Sequence, residues 1–429
     1  MRIPIDRYTL ENGLRVVLSE DHTTPVVAVN LWYNVGSRNE LPGKTGLAHL
    51  FEHMMFQGSQ NVGEPGHIAL VERAGGNLNG STWLDRTNYY DTVPSDQLEL
   101  ALWLESDRMG FFVPALTQEK FDTQREVVKN ERRQRVEHAP YGDWDERIQA
   151  MVYPDDHPYH HSVIGSMVDL DAASLDDVRE FFETYYVPNN AVLTLCGDFD
   201  NAEARRLIEA YFGPFPRGPE IPPLPGRPVP EPLKIGREVR AEVEDPKVPL
   251  ARLYLAWRIP PYGEPEYYAA DLLAELLAGG KSTRLYRTTV RERRLARGIG
   301  AFTFPVITGA SAFLVRGNVP AGGDARALEA AVFEEIDRIS THGPDAAEME
   351  RALTGLEARH ILDLQKPSER ADTLSMLTTY FDDPERINTE LDRYRAVTAD
   401  DVRRLAREYL GADNRVALTY LQPALQEAA

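Results

Sequence analysis

Apolar and polar residues follow two kinds of pattern along the chain. The stretches GLRVVLSE, from Gly13, and VVAVNLWYN, from Val26, show the runs of β-branched and apolar residues that are typical of buried strands. Longer stretches with helical periodicity lie between such strands. This order predicts an α+β protein in which helices pack on sheets.

A segment near the middle of the chain resembles one near its end. SLDDVREFFETYYVPNNAVLTL begins at Ser174, and TADDVRRLAREYLGADNRVALT begins at Thr398, 224 residues later. Each segment predicts a capped helix, a turn and a strand. The proline- and glycine-rich stretch 216–236 predicts an extended linker between the two halves. We therefore expect two homologous domains, each a mostly antiparallel sheet with packed helices, at residues 1–215 and 237–429.

Composition narrows the class of protein. The chain has 429 residues, of which 42% are hydrophobic and 27% are charged, as in globular proteins of more than one domain. Its net charge of −20 argues against nucleic acid as a partner, because phosphate binding needs clustered positive charge. No apolar run is long enough to span a membrane. The first residues lack the apolar segment of a secretory signal, so we expect a cytoplasmic location as the sequence stands, or a periplasmic one if a signal has been removed.

The stretch GLAHLFEHMMFQGS carries two histidines and a glutamate on one predicted helix, which we expect to be capped by Thr45 and to run to about Gln57. His49 and His53 are four residues apart, so their imidazoles lie one above the other on the same side of the helix. At that spacing, two ring nitrogens can bind one tetrahedral Zn²⁺. Glu52 precedes the second histidine and can reach a water on the metal without being a ligand itself.

A catalytic zinc site has three protein ligands and one open position, so a third ligand is needed. The predicted helix TQEKFDTQREVVKNERRQRVE offers several glutamates. Val127 and Val128 mark its predicted inward face, and Glu131 lies three and four residues beyond them, on that same face. A carboxylate turned toward the core needs a partner, which zinc or a nearby arginine would supply. Glu126 points about 100° away from Val127, toward the flank of the helix.

The pattern H-x-x-E-H, read from His49 to His53, resembles the inverted-zincin motif of the insulinase and pitrilysin metallopeptidases, which include the mitochondrial processing peptidase. Other stretches that resemble this family are LENGLRVVL, GGNLNGSTWLDRTNYY, HPYHHSVIG and YYVPNNAVLTLCGDFD. The resemblance covers most of residues 7–215 and is weaker in the second half. It implies a zinc endopeptidase acting on extended peptides or unfolded segments, with one Zn²⁺ per chain on His49, His53 and Glu131 and with Glu52 activating the water.

The resemblance also implies roles for residues that do not bind the metal. Two turns before its ligand glutamate the family has a second glutamate that assists catalysis; Gln124 stands at that position, and Glu126 is a candidate substitute. Asn79 is expected beside the site, on an edge strand that a peptide could extend, unless its glycine-rich segment is a plain turn. Arg291 matches the first residue of an Arg–Tyr pair that holds substrate in the family, but Gly298 stands at the tyrosine position.

The second half predicts no metal site, because at the repeat spacing Leu273, Leu276 and Leu277 stand where the first half has its motif. A complete family chamber needs four such domains, and this chain supplies two. We therefore expect a heterodimer with a homologous non-catalytic subunit that supplies the missing tyrosine; a homodimer or a monomer is the alternative. A non-catalytic scaffold or peptide-binding subunit of the same fold is the competing interpretation of the whole chain.

Two further stretches resemble known sites but are predicted to be structural. GGKST, from Gly279, lacks the earlier glycine of a phosphate loop, since Glu275 stands there, and it follows a predicted helix rather than a strand. His157, His160 and His161 predict a proline-containing loop packed on its own domain rather than a second metal cluster.

Overall fold

A computed structural model describes residues 2–229 and 233–423. The part of the predicted linker at residues 230–232 lies outside the described residues. None of the helices within the described ranges is both long and apolar enough to cross a membrane.

Strands and helices alternate along the described chain. The strands are β1 (Asp6–Thr9), β2 (Arg15–Glu20), β3 (Val26–Tyr33), β4 (Asn77–Thr82), β5 (Thr87–Pro94), β6 (Ala191–Gly197), β7 (Val239–Glu244), β8 (Arg252–Ile259), β9 (Gly298–Phe304), β10 (Ser311–Asn318) and β11 (Arg415–Leu421). The α-helices are α1 (Leu47–Met54), α2 (Gly66–Arg73), α3 (Leu98–Phe111), α4 (Gln118–Arg132), α5 (Trp144–Val152), α6 (Met167–Ala172), α7 (Leu175–Tyr185), α8 (Asn201–Phe212), α9 (Pro265–Ala278), α10 (Ala325–His342), α11 (Ala346–Asp363), α12 (Pro367–Phe381), α13 (Glu390–Arg395) and α14 (Ala399–Tyr409). Single π-helical segments follow α4 and α9, at Arg133–Glu137 and Tyr286–Glu292.

The chain forms two compact units. The first comprises the described residues of 1–132, 161–225 and 361–390, and the second those of 133–160, 226–360 and 391–429. The first sheet has the order β1-β2-β6-β3-β5-β4 and the second has the order β7-β11-β8-β10-β9. In each sheet one neighbouring pair is parallel and the others are antiparallel. The predicted α+β class with mostly antiparallel sheets is confirmed.

The first sheet is buried on both faces, as the alternation along β3 shows. Val27, Val29 and Leu31 belong to a core formed with α1, α3, α7 and α8. Ala28 and Trp32 belong to a second core, formed with α12. Because successive side chains of a strand point to opposite faces, the apolar run of β3 can serve two cores at once.

The second sheet is also covered by helices. One face packs against α9, α10 and α14, with Leu255 and Trp257 of β8 in that core. The other face carries α5, where the indole of Trp144 stacks on the ring of Tyr254 with centroids 5.0 Å apart and planes 3° apart. The stacked pair stabilises this face beyond what its buried apolar area contributes.

In each unit, one covering helix comes from the other half of the sequence. α12, in the second half, belongs to the first unit, and α5, in the first half, belongs to the second. A division of the sequence into two halves therefore assigns α5 and α12 to different units from those in which they lie. The division at residues 216–236 into domains 1–215 and 237–429 stays a prediction about the domains.

The predicted repeat has the same local structure in both copies. Ser174 caps α7 in a capping box with Asp177, and Thr398 caps α14 in a capping box with Asp401. In a capping box the hydroxyl and the carboxylate each satisfy a backbone amide that the first helical turn leaves unpaired. The capped helices predicted from the two segments are therefore confirmed.

The strands that follow these helices are also equivalent. Asn190 donates to the carbonyl of Tyr185 at 2.8 Å, and Asn414 donates to the carbonyl of Tyr409 at 2.8 Å, so the same side chain closes the turn in both copies. β6 pairs in parallel with β2 and antiparallel with β3, and β11 pairs likewise with β7 and β8. The strands β2-β6-β3-β5-β4 of the first sheet thus have the topology of the whole second sheet, as duplicated domains require, and β1 is an additional edge strand.

We expect α12 to be needed for the stability of the first unit. Leu374 of α12 is fully buried, so Leu374→Ala should lower the free energy of unfolding by about 2–5 kcal/mol through lost burial and the cavity left behind. Leu362→Ala, in the exposed end of the preceding helix, is the matched control and should change it by less than about 0.5 kcal/mol. Urea denaturation measures both values. Equal effects of the two substitutions would contradict the role of α12.

Candidate metal centre

The helix with the two histidines begins later and ends earlier than the sequence predicts. α1 runs from Leu47 to Met54, and no side-chain cap is present at its start. Thr45 was predicted to cap it, and this is wrong: the hydroxyl of Thr45 donates instead to Asp169 at 2.5 Å. The residue that precedes the helix is Gly46, whose φ of 88° is left-handed, so the chain turns into the helix without a serine- or threonine-type cap.

A buried carboxylate from outside the helix takes the place of the cap. Glu40 accepts from the backbone amide of Gly46 at 2.9 Å and from that of Ala48 at 2.7 Å. His161 contacts Glu40 in turn, with 2.9 Å between Nε2 and Oε2. Sequence reasoning did not identify Glu40, because 121 residues separate it from His161 and no spacing pattern connects them.

Burial perturbs both members of this pair. It raises the pKa of the Glu40 carboxyl, although the bond to His161 and the two amides oppose the rise. Burial alone would lower the pKa of His161, but the hydrogen bond and the charge of Glu40 raise it above its ordinary value. A carboxylate removed from water keeps its charge only where donors compensate it, and here three donors do so.

α1 divides into an apolar and a polar face. Its apolar residues lie in the core of the first unit: Leu47, Ala48, Leu50, Phe51 and Met54. His49, Glu52 and His53 lie on the other face and are only partly buried. The helix is thus fixed by packing while its polar side chains stay accessible.

The helix that carries the expected third ligand is oriented partly as predicted. Val128 and Phe121 of α4 are fully buried, but Val127 is 42% exposed, so the prediction that both valines face inward is wrong for Val127. Consecutive residues of a helix are about 100° apart, and the core accepts only one of the two. Glu131, three residues beyond Val128, is partly buried and turned toward α1.

The structure brings His49, His53 and Glu131 together. Oε2 of Glu131 lies 3.3 Å from Nε2 of His53 and 3.9 Å from Nε2 of His49. The imidazole rings have centroids 4.8 Å apart and planes at 81°. Among the described residues, these three form the one group of three or more potential His, Cys, Asp or Glu ligands whose atoms converge, within 4.8 Å of one another.

These distances fit a zinc ion. Two ligand atoms at about 2.0–2.2 Å from one ion, at a tetrahedral angle, lie about 3.3–3.6 Å apart. The two distances from Glu131 are close to that range, and two imidazoles with one carboxylate are a ligand set used by catalytic zinc sites. The residues therefore fit the metal that the motif implies, although their role as ligands stays a prediction.

Glu52 stands beside this group with one oxygen still available. Its Oε2 is buried and has no hydrogen-bond partner among the described residues. Burial raises the pKa of the carboxyl, against the effect of a hydrogen bond from Thr82 in β4. A buried acceptor without a donor is costly, so it is a position where a water or a substrate group would be bound.

The two residues considered for an assisting role differ in their surroundings. With the Gln57 amide turned so that both its oxygen and its nitrogen find partners, Gln124 donates to that oxygen at 3.0 Å and the nitrogen lies 3.1 Å from Glu64. Glu126 is half exposed and pairs with Lys129 at 2.6 Å, along the flank of α4 as predicted. Gln124 is thus linked to a carboxylate through Gln57, which the sequence did not indicate. An assisting role for either residue stays a prediction.

The residues expected to bind substrate lie in different units. Asn79 lies on β4, the last strand of the first sheet, so its segment is an edge strand as predicted and not a plain turn. Arg291 is exposed in the π-helical segment of the second unit, and Gly298 opens β9. Their roles stay predictions.

The second half has an apolar counterpart of α1. Leu273, Leu276 and Leu277 lie in α9 and are buried in the core of the second unit. The GGKST stretch directly follows this helix, as the argument against a phosphate loop requires.

The histidines of the HPYHH stretch have separate structural contacts. Nδ1 of His157 accepts from the amide of Tyr159 at 3.0 Å, and His160 contacts the carbonyl of Tyr153 at 2.9 Å. His161 bonds to Glu40 instead. These contacts agree with the interpretation that the stretch is not a metal cluster.

Comparison with known families identifies the chain. Residues 15–157 match the insulinase family, peptidase family M16, and residues 172–356 match the peptidase M16 inactive domain. The chain belongs to the insulinase family. The resemblance stated from the motifs is thereby confirmed.

Relatives of known sequence and structure agree with this assignment. The chain is 29% identical to the zinc protease PqqE of Helicobacter pylori, over 97% of this chain and 92% of that protein. It is 24% identical to the mitochondrial-processing peptidase subunit beta of Lentinula edodes, over 94% of this chain and 86% of that one. The crystal structure of a protease from Helicobacter pylori superposes with a TM-score of 0.91 and 28% identity, covering 98% of this chain and 100% of the other.

We expect the purified protein to hold about one zinc per chain, the stoichiometry of a single three-ligand site. His49→Ala, His53→Ala and Glu131→Ala should each lower the zinc content sharply, because each removes one of three ligands. Glu119→Ala, at an exposed position of α4, is the control and should retain the metal. Metal analysis after dialysis measures the content. Zinc that is kept by Glu131→Ala and lost by Glu126→Ala would show that the third ligand is misassigned.

Proposed function

We propose that the chain is a zinc-dependent endopeptidase that hydrolyses extended peptides or unfolded segments. The observation that carries the proposal is the convergence of His49, His53 and Glu131 beside Glu52. Membership of the insulinase family and the zinc protease names of its relatives support it.

The residues of the first unit suggest how hydrolysis would proceed. His49, His53 and Glu131 would hold zinc, which when bound makes water a stronger nucleophile and polarises the scissile carbonyl. Glu52 would accept the proton of the attacking water at Oε2 and then donate it to the leaving amine.

The edge of the first sheet offers a way to hold an extended peptide. β4 pairs with β5 on one side only, so the backbone groups on its other side can bond to an added strand. Asn79 lies on this strand and would contact the peptide directly. Recognition through backbone groups would favour extended or unfolded segments over folded substrates.

A non-catalytic subunit of the same fold is the second candidate. The match of residues 172–356 to the peptidase M16 inactive domain favours it, and so does the apolar counterpart of the motif in α9. Both observations concern the second half, whereas the first half retains every residue of the motif. A chain that binds zinc but cleaves no member of a mixed peptide library, both alone and with a homologous subunit added, would establish this alternative.

Glu52→Gln separates metal binding from chemistry. The substitution keeps the size of the side chain and removes the base, so zinc should stay bound while kcat falls by about 10²–10⁴, the usual contribution of a positioned general base. Peptide-library cleavage, with and without a chelator, is read by mass spectrometry. Glu119→Gln, exposed on α4, is the charge-matched control with unchanged cleavage. Near-normal cleavage by Glu52→Gln would refute the assigned role.

The chain is further proposed to work with a homologous non-catalytic subunit. One relative is named as the beta subunit of a mitochondrial-processing peptidase. Gly298 at the position of the substrate-holding tyrosine is the feature of this chain that motivates the proposal, since a second copy would bring a second glycine. A homodimer or a monomer is the alternative.

Activity and solution mass of the chain, alone and with the product of a neighbouring homologous gene, test this dependence. The isolated chain should be poorly active and the added subunit should activate it. Full activity of the unmodified chain, unchanged by the added subunit, would rule out the heterodimer.

A further inference from the structure

We propose that Glu40 and His161 are positioning residues that hold the start of α1, so that His49 and His53 face Glu131. This inference rests on the proposed zinc function. Neither side chain supplies an atom to the group of three potential ligands. Their effect on a metal would therefore pass through the backbone of the helix.

The first step is the bond between Glu40 and the helix start. A helix leaves its first amides without partners inside the helix, and Gly46 has no side chain with which to cap them. Glu40 binds the amides of Gly46 and Ala48 with its two separate oxygens. The amide of Ala48 directly precedes His49, so this bond fixes the backbone next to the first histidine. The negative charge also lies where the helix dipole favours it.

The second step is the fixation of Glu40 itself. The residue is only 3% exposed, and His161 donates from Nε2 both to Glu40 and to the carbonyl of Ser37, at 2.9 and 3.0 Å. Ser37 and Glu40 lie on the same turn before α1, so the imidazole ties that turn together. One imidazole nitrogen therefore sets the position of the carboxylate that caps the helix.

The third step is the contact between the loop after His161 and the start of the helix. A Cβ at Gly46 would lie 2.6 Å from the carbonyl oxygen of Ile164, which means that the two backbones touch. Asp169 accepts from the amide of Thr45 at 3.0 Å on the same side. Glu40 and the loop therefore hold the residues before α1 from two directions.

The bonds from Glu40 and His161 add to the packing of α1. Leu47 and Leu50 pack its first turn into the core, and Phe51 and Met54 pack its C-terminal end. The hydrogen bonds add a directed constraint on the backbone next to His49. A metal site needs its ligands held within about 0.5 Å, and groups outside the ligand set usually provide that precision.

The test measures zinc affinity, helix protection and kinetics in full-length variants. Glu40→Gln removes the charge and turns an amide NH₂ toward one of the two backbone amides, and His161→Gln removes the imidazole. Each should weaken zinc binding by about 10–100-fold in a competition assay with a chelator, the usual effect of losing such a partner. kcat should fall while KM changes little, because neither residue is expected to contact substrate.

Asp372→Asn is the matched control. Asp372 accepts from Trp32 at 2.8 Å and from Asn88 at 3.0 Å in the first unit, on the sheet face opposite α1. It should lower thermal stability to a similar degree and leave zinc affinity unchanged. A loss of affinity that follows stability equally in all three variants would overturn the inference.

Hydrogen exchange of the metal-free protein gives a readout that does not depend on zinc or activity. The amides of Ala48 and Leu50 should exchange faster in Glu40→Gln and His161→Gln than in the unmodified chain and in Asp372→Asn. Unchanged exchange, or unchanged zinc affinity, would overturn the inference. An unmodified chain that binds zinc but cleaves no peptide even with a homologous subunit added would refute the proposed function alone, because the affinity and exchange measurements would still decide the role of Glu40 and His161.

Discussion

Burial of carboxylates around one short helix is the constraint on which the candidate site depends. Glu40 at the start of α1 is buried, and Glu52 on the helix and Glu131 opposite it are partly buried. A buried carboxylate needs donors, cations or a proton. Glu40 obtains two amides and an imidazole, and Glu131 lies against two imidazoles. Glu52 keeps one oxygen without a partner among the described residues, so the arrangement leaves one unmet bond beside the ligand group.

Sequence reasoning succeeded where the interactions are local or periodic. The spacing of His49 and His53 is a property of one helix, and the phase of α4 was enough to place Glu131 on its inward side, although Val127 did not follow it. Reasoning failed where a partner comes from far along the chain. Glu40 replaces the predicted cap Thr45 through a geometry that only the folded backbone creates. The interchange of α5 and α12 between units was also missed, because the apolar face of an amphipathic helix does not specify which sheet it packs on.

The two units carry a polar helix, α1, and an apolar helix, α9, at equivalent positions of a common framework. Five strands of the first sheet share the topology of the second, and the same capped helix precedes β6 and β11. At the positions of the histidines, α9 has Leu273 and Leu277, which are fully buried. The leucines of α9 add to the apolar core of the second unit. The histidines of α1 bury less apolar surface and need polar partners. The first unit therefore carries a less buried, more polar helix at this position while the rest of the framework is retained.

The polar helix and the edge strand are physically coupled, which connects the candidate chemistry to substrate binding. Thr82 at the end of β4 hydrogen-bonds to Glu52. In the middle of the strand, a Cβ at Gly80 would lie 3.0 Å from the ring of Phe56, in the segment that follows α1, so the strand packs against that segment without space for a side chain. The glycine-rich sequence of β4 thus allows an edge strand to approach the helix closely. Any movement of β4 would disturb its hydrogen bond to Glu52. The strand that would bind substrate and the carboxylate that would act on it are therefore held as one structural element.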